Sequence, residues 1–235
     1  MTFIILHIRY RKLAPILVLF IINTANLGIA NANEIESGWK AWRNEASLEV
    51  KYRKSNIRDL IEVKAQLITK STLSGFLLFI ADANKTPNWL TNAKHSRLIE
   101  QISDNENIFT TQFDAFWPAN PRDIVIQSRY WQNPDLSIAI AISDAGNKIP
   151  KLKQTVRIKL ISASWLIKPT SDKQLEISYT FIADGKGNIP QWLANKVTLN
   201  STWKTIKNLQ RQLPVSKWQQ VTLPQVKELN ANSTK

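Results

Sequence analysis

Histidine and cysteine are nearly absent from this chain of 235 residues: His7 and His95 are the two histidines, and there is no cysteine. A metal centre built on imidazole or thiolate ligands, or a Ser-His-Asp nucleophile, needs more than that. His7 falls in an N-terminal segment that reads as a leader, so His95 stands alone and is expected in a solvated loop. The carboxylates Asp104, Glu106, Asp114 and Asp123 are scattered, and spacing pairs no two of them as acid and base. Gly185-Lys186-Gly187 lacks the spacing of a phosphate-binding loop and reads as a turn. These residue types argue against catalysis, and neither a metal nor a cofactor is expected.

Two other patterns carry more information. Between Ile189 and Leu213, the residues Trp192, Leu199, Trp203, Ile206, Leu209 and Leu213 fall on one side of a helix at 3.6-residue spacing. Such a stripe serves either as ordinary core or as the wall of a pocket. Between Asp184 and Glu228 there is no acid, yet Lys186, Lys196, Lys204, Lys207, Arg211, Lys217 and Lys227 all occur. A run of charge is usually a solvated face. Its functional reading is docking of the helix on an anionic membrane through Lys196, Lys204, Lys207 and Arg211, each basic residue near the surface contributing about 1 kcal/mol.

The formal net charge is +13 with a pI near 10, which also points to anionic partners. Arg9, Arg11 and Lys12 open the chain and are followed by an apolar run from Leu13 to Ile22 and a small-x-small site at Ala30, Asn31 and Ala32. Residues 1–32 therefore read as a secretory signal peptide, cleaved near Ala32 to give a periplasmic or secreted protein. Asn23, Thr24 and Asn26 interrupt the run short of the roughly 20 apolar residues of a membrane span, and an uncleaved anchor is the alternative. Export removes most opportunity to meet nucleic acid, so none is expected as a partner. A monomer is expected.

The elements that must position these residues follow from periodicity and turn signals. A short amphipathic helix is expected over Ile35–Glu45, with Trp39 and Trp42 at i, i+3. Strands are expected at Leu48–Lys54 and Ile57–Thr69, and a buried helix over Leu73–Ala83 after Ser71. Further strands are expected at Ser96–Ser103, Asn107–Ala115, Asp123–Trp131, Asp135–Ser143, Thr155–Lys168 and Gln174–Ala183. A long helix from Pro190 to Leu213 follows the Asp184–Asn188 turn. Consecutive strands joined by short turns make the sheet antiparallel and the fold class α+β. After Leu213 a loose tail over 214–235 is expected.

The stretch Tyr179, Asp184, Gly185, Gly187, Ile189, Pro190, Trp192, Leu193 and Asn195 resembles the strand-turn-helix signature of START domains, the steroidogenic acute regulatory protein-related lipid-transfer family. Trp165 to Pro169, Arg122 with Asp123, and Ala81 to Trp89 fall where that family has its other motifs, and the likeness covers Ile35 to Leu213. Gly185 departs from the family pattern, where Pro is common. The resemblance implies a helix-grip fold over residues 33–213, a curved antiparallel sheet wrapped around the long C-terminal helix. It also implies an internal apolar cavity holding one lipid or other hydrophobic molecule without catalysis, with the last helix acting as a lid. The expected lining is Phe113, Ile126, Ile140, Leu160, Ile177 and Tyr179 from the strands, and Trp192, Leu199, Trp203 and Ile206 from the helix. Two alternatives are a helix-grip cyclase or hydrolase with inward polar residues, and a cell-envelope interaction protein with a filled core.

Overall fold

A computed structural model describes residues 38–57, 59–115, 119–170 and 174–229, so the expected leader lies outside the described residues. The strands are β1 (Lys40–Glu45), β2 (Leu48–Lys54), β3 (Ile61–Lys70), β4 (Ala93–Ser103), β5 (Glu106–Phe113), β6 (Arg122–Gln132), β7 (Ile138–Asp144), β8 (Val156–Arg157), β9 (Lys159–Pro169) and β10 (Gln174–Asp184). The helices are α1 (Leu73–Ala81), α2 (Thr86–Trp89) and α3 (Gln191–Gln212). One sheet contains all the strands in the order β1-β2-β3-β10-β9-β7-β6-β5-β4, with β8 beside β6. Every pairing is antiparallel except that of β8 with β6. The sheet grips α3, and the fold is the α+β helix-grip fold.

Strand alternation decides which side is inside. In β3, Val63, Ala65, Leu67 and Thr69 are buried, whereas Ile68 and Lys70 between and after them are exposed. Val63, Ala65 and Leu67 join Leu48 and Val50 of β2, Leu73, Phe76, Leu77 and Phe79 of α1, and Leu199, Trp203, Ile206 and Leu209 of α3 in one core. The N-cap of α1 is Thr72, one residue beyond the expected cap at Ser71: the Thr72 hydroxyl accepts the Gly75 amide at 2.9 Å.

Two segments differ from the sequence-based expectation. Lys40–Glu45 is a strand rather than a helix, in register with β2 from Glu45 opposite Leu48 to Lys40 opposite Tyr52. A helix that short is marginal on its own, and hairpin pairing with an adjacent strand outweighs the i, i+3 spacing of its tryptophans; Trp42 meets Tyr52 edge-on at 6.4 Å.

The chain after Leu213 is also not loose through residue 229. Leu213 and Val226 are buried, and the carboxylate of Glu228 accepts the Leu73 and Ser74 amides at 2.9 and 2.8 Å. Gln219 accepts from the Thr72 amide at 3.1 Å, and Gln132 and Lys227 exchange two hydrogen bonds at 2.7 and 2.9 Å. Residues 214–229 thus form a strap that satisfies the first amides of α1 and crosses to the end of β6.

The expected strand Thr155–Lys168 breaks at Ile158. Val156 and Arg157 run parallel to Arg122 and Asp123 of β6 because the two strands share a buried ion pair. Arg157 Nη2 lies 2.7 Å from Asp123 Oδ2, Nε donates to both carboxylate oxygens at 2.9 Å, and the side chains are 6% and 1% exposed. The same guanidinium donates to the carbonyls of Gly146 and Pro150, at 2.5 and 3.1 Å, so one pair also folds the loop after β7. Removing one charge strands the other in the interior. Asp123→Asn is expected to lower unfolding free energy by about 3 kcal/mol, read from urea denaturation; a loss under about 1 kcal/mol would show that the pair does not hold this corner together.

Candidate functional site

Between α3 and the inner face of the sheet lies a cavity of about 490 Å³, within the range that encloses a small organic ligand. Its floor is built from alternate residues of β6: Arg122, Ile124, Ile126, Ser128 and Tyr130 all line it. At about 3.3 Å per residue the lined stretch of β6 runs about 26 Å, so the space is a long channel rather than a spherical hole. Phe109 and Phe113 of β5, Ile140 and Ile142 of β7, Leu160 and Trp165 of β9, and Tyr179, Phe181 and Ala183 of β10 continue the floor on either side. The roof is α3, with Ala194, Val197, Thr198, Ser201, Thr202, Thr205, Ile206 and Leu209 turned toward the space. Leu77, Leu78, Ile80 and Ala81 of α1, and Leu223 and Gln225 of the strap, complete the wall.

One side of the channel is aromatic. Tyr179 and Trp165 are cross-strand partners and stack at 4.2 Å, Tyr179 stacks on Phe181 at 5.1 Å, and Phe76 meets Trp165 edge-on at 5.7 Å. Burial pushes the Tyr179 phenol pKa well above its ordinary value, and no hydrogen bond or neighbouring charge among the described residues offsets it. Its hydroxyl is therefore a neutral proton donor at every ordinary pH.

The hydroxyls of the roof are mostly engaged. Thr202 donates to the Thr198 carbonyl at 2.8 Å, Thr205 accepts the Thr91 amide at 3.0 Å, and Ser201 accepts from Asn92 Nδ2 at 3.1 Å. At the end of the channel near α3's start, Arg122 donates to the carbonyls of Asn120, Gly185 and Lys186 at 2.9, 3.2 and 3.3 Å. The turn it grips also closes on itself, with the Lys186 amide on Asp184 Oδ1 at 2.8 Å. Gly187 has φ +84°, a conformation that favours glycine, and an added Cβ would lie 3.4 Å from Arg122 Nη2. The turn that contains Gly185 is thus held from outside by Arg122.

Of the expected lining, Phe113, Ile126, Ile140, Leu160, Tyr179 and Ile206 face the cavity. Four residues do not. Ile177 lies one ladder row beyond Tyr179, between Leu67 and Ile167, fully buried in the solid core. Leu199 and Trp203 are 3% and 5% exposed and belong to the core that includes β2 and β3, so α3's apolar stripe anchors the helix and the adjacent, smaller face roofs the channel. Trp192 is 67% exposed because the first turns of α3 run past the core; Leu199 is the first buried residue of the helix.

Of the basic residues, Lys196, Lys204, Lys207 and Arg211 are exposed along α3. Lys207 pairs with Glu45 at 3.0 Å and lies 5.6 Å from the Trp203 ring centre, and Arg211 donates to Asn208 at 2.7 Å. Sequence reasoning missed Arg122 as the clamp of the turn, the Thr and Ser residues of the roof, and the strap. The hydroxyl residues repeat three and four apart, at Thr198, Ser201, Thr202 and Thr205, which was a legible stripe hidden by the stronger apolar one. His95 is exposed on β4, opposite Gln112, away from the channel. Among the described residues no group of three or more His, Cys, Asp and Glu is placed to hold a metal.

A ten-stranded sheet gripping a long helix over an apolar channel defines a fold suited to binding a hydrophobic ligand. The chain belongs to the START domain family, whose model matches residues 22–218. It is similar to an uncharacterised protein of Pseudomonas aeruginosa, 24% identical over 83% of this chain and 95% of that protein, and to human START domain-containing protein 10, 24% identical over 83% of this chain and 68% of that protein. Among solved structures it resembles a STAR-related lipid transfer protein from Xanthomonas axonopodis, with a TM-score of 0.64 at 23% identity, covering 75% of this chain and 98% of that one. Human STARD10 has a TM-score of 0.62 at 20% identity, covering 87% and 94%.

Arg122→Gln is expected to release the turn before α3. Hydrogen exchange at residues 185–187 should speed at least about tenfold, with global stability falling by about 1–2 kcal/mol. Unchanged exchange in those amides would show that Arg122 is not the clamp.

Proposed function

We propose that this protein binds one hydrophobic molecule, a lipid or a compound of similar shape, in the channel beneath α3 and carries it between membranes without breaking a bond. The observation that carries the reading is the unfilled channel of about 490 Å³ walled by alternate apolar residues of the sheet. Transfer of apolar ligand surface out of water yields about 25 cal/mol per Å², so burying some 200 Å² provides about 5 kcal/mol. The relatives described as lipid-transfer proteins agree with it. A filled-core interaction protein would leave no such space. An enzyme of the same fold needs catalytic groups brought together inside; His95 is exposed on an outer strand, and Asp104 and Asp114, which line the cavity, flank opposite ends of β5.

The portal in this reading is the first two turns of α3. No residue between Gln191 and Thr198 is buried, while Leu199, Trp203, Ile206 and Leu209 fix the rest of the helix. Exposing those four would cost about 1.5–3 kcal/mol each, comparable to the whole stability of a domain, so the helix opens from its start rather than swinging as one piece. Exposed Trp192 and Lys196 lie one turn apart on that segment, and Lys186 precedes it. An aromatic ring at headgroup level with cations around it suits transient contact with an anionic membrane. Lys204, Lys207 and Arg211 extend the positive surface along the helix. Export through the 1–32 leader, with the protein acting as a monomer outside the cytoplasm, completes the proposal.

Purified protein is expected to carry or accept a lipid in equimolar amount, seen by organic extraction and mass spectrometry, and Ile126→Trp, which fills the channel floor, should abolish it while the protein stays folded. No lipid in the wild type, together with flat tryptophan fluorescence on titration with sterols, fatty acids and phospholipids, would end the carrier reading. For the membrane contact, Trp192→Ala with Lys196→Glu should weaken binding to anionic liposomes about tenfold or more at low salt, with unfolding free energy unchanged; equal binding would remove this segment from the docking surface.

A further inference from the structure

α3 is stitched to its neighbours along both edges of its inward face. On one edge Ser201, Thr205, Asn208 and Gln212 stand three or four residues apart, so they share one line of the helix. Asn92 Nδ2 donates to the Ser201 hydroxyl at 3.1 Å, and the Thr91 amide donates to the Thr205 hydroxyl at 3.0 Å. Asn208 Nδ2 donates to the Trp89 carbonyl at 3.2 Å, and Gln212 Nε2 to the Asn88 carbonyl at 2.7 Å. The seam carries one bond per turn.

The other edge has a seam of its own. Arg43 donates to Asn200 at 3.3 Å, Lys207 pairs with Glu45 at 3.0 Å, and Gln210 donates to the Ser47 hydroxyl at 2.7 Å. Both seams begin where the unburied first turns of α3 end, at Asn200 and Ser201.

Between the seams the height of the roof is fixed, and the walls are no softer. Ile140 and Trp165 of the sheet, with Ile206 and Leu209 of α3, line the cavity while belonging to the buried core. Widening this stretch would pull apart close packing and polar bonds together. The bore is narrow. A cavity of about 490 Å³ drawn out over about 26 Å has a mean cross-section of about 19 Å², a bore about 5 Å across. Non-bonded carbons touch at about 3.5–4.0 Å, so one extended hydrocarbon chain fills a column about 4–5 Å thick. Two chains side by side, or a fused ring system, are about twice as broad in one direction.

We infer that the channel admits a single unbranched hydrocarbon chain, and that the two seams along α3 hold its width against sterols and against lipids that would have to insert two chains. This rests on reading the channel as a ligand site, and it narrows the ligand class to single-chain lipids. A broader molecule meets the resistance of an overpacked core, where side chains must leave their rotamers or the backbone must shift. A chain can enter end-on through the first turns of α3 without loosening either seam. Phe109 sets the bore at mid-channel, where it lines the cavity opposite Ile126 in the β5–β6 ladder.

The test uses octadecan-1-ol, cholesterol and dioleoylglycerol, each uncharged with one hydroxyl, so that they differ in the breadth of the apolar part. Purified protein is incubated with phosphatidylcholine liposomes carrying the three in equal molar amounts and re-isolated, and the bound molecules are counted by mass spectrometry. Wild type is expected to hold one octadecanol per protein, at least about tenfold over either competitor. Phe109→Ala, and separately Asn208→Ala with Gln212→Ala, should raise the cholesterol share at least about threefold while octadecanol still binds. Loss of structure alone would not produce that gain. Comparable recovery of cholesterol, dioleoylglycerol or the liposome's own phosphatidylcholine in wild type, or two octadecanols per protein, would overturn the single-chain bore and leave the channel reading standing. An unchanged cholesterol share in the folded variants would overturn it as well. Absence of every lipid from the re-isolated, folded protein would overturn the channel reading together with this inference.

Discussion

The structure depends on α3 being anchored along one stripe and not around its whole circumference. Leu199, Trp203, Ile206 and Leu209 fix its later turns in the core built by β2, β3 and α1. A single helix is about 10 Å across, and a sheet whose strands lie about 4.8 Å apart soon outgrows it. The strands β5, β6 and β7 are therefore roofed at a distance, by the side of α3 that carries Ala194, Val197, Thr198 and Ser201. Those side chains are too short to fill the gap, and the channel is what remains. Large residues on that face would have closed it and made a solid α+β core.

The same one-sided anchoring divides the helix into a fixed part and a free part. Its beginning relies on the turn before it, and that turn relies on Arg122, whose three bonds go to carbonyls rather than to apolar contacts. Next to it, Asp123 turns to the opposite face of β6 and fixes Arg157. The dipeptide thus serves two structural tasks through strand alternation alone: one residue faces the channel and clamps the helix entry, the other is buried with β8 and fastens the loop after β7. The strap closes the opposite end with Gln219, Gln225 and Glu228, again through polar bonds to backbone and to single side chains.

Much of the sheet was legible because period-2 alternation is a local property: Val63, Ala65 and Leu67, or Leu175 and Ile177, announce an inner face without knowledge of any partner. The motif around Asp184 and Pro190 located the long helix. What periodicity could not tell was the direction in which each face looks. The stripe containing Leu199 and Trp203 was rightly read as apolar, yet the same 3.6-residue period is satisfied by a helix rotated toward the strands or toward the space, and only tertiary packing selects. Ile177 and Tyr179 share one face of β10, and one row separates solid core from channel. The Lys40–Glu45 strand and the strap were illegible for a related reason. Their stability comes from partners, β2 for the first and α1 with β6 for the second, and those partners leave no mark on the segments' own spacing.

The chemistry of the walls follows from how the hydroxyls are satisfied. Thr and Ser on a roof would seem to make a polar channel, but a Thr that donates to the carbonyl four residues back turns its bonding capacity into the helix and leaves its methyl outward. Thr202 does this with Thr198, and Thr205 and Ser201 are occupied by the segment before β4. At Thr202, composition overstates the polarity of the roof, because its bond is internal to the helix. Tyr179 is the contrast. Its ring is held on both sides by Trp165 and Phe181, which fixes the phenol in place while offering its oxygen nothing to bond. Thr202 spends its proton within the helix, whereas the Tyr179 hydroxyl bonds no described side chain, and Thr205 and Ser201 accept a bond while keeping their own protons to donate. Polar recognition in such a channel is set by the few polar groups the fold leaves unsatisfied, and much less by the number of polar residues that line it.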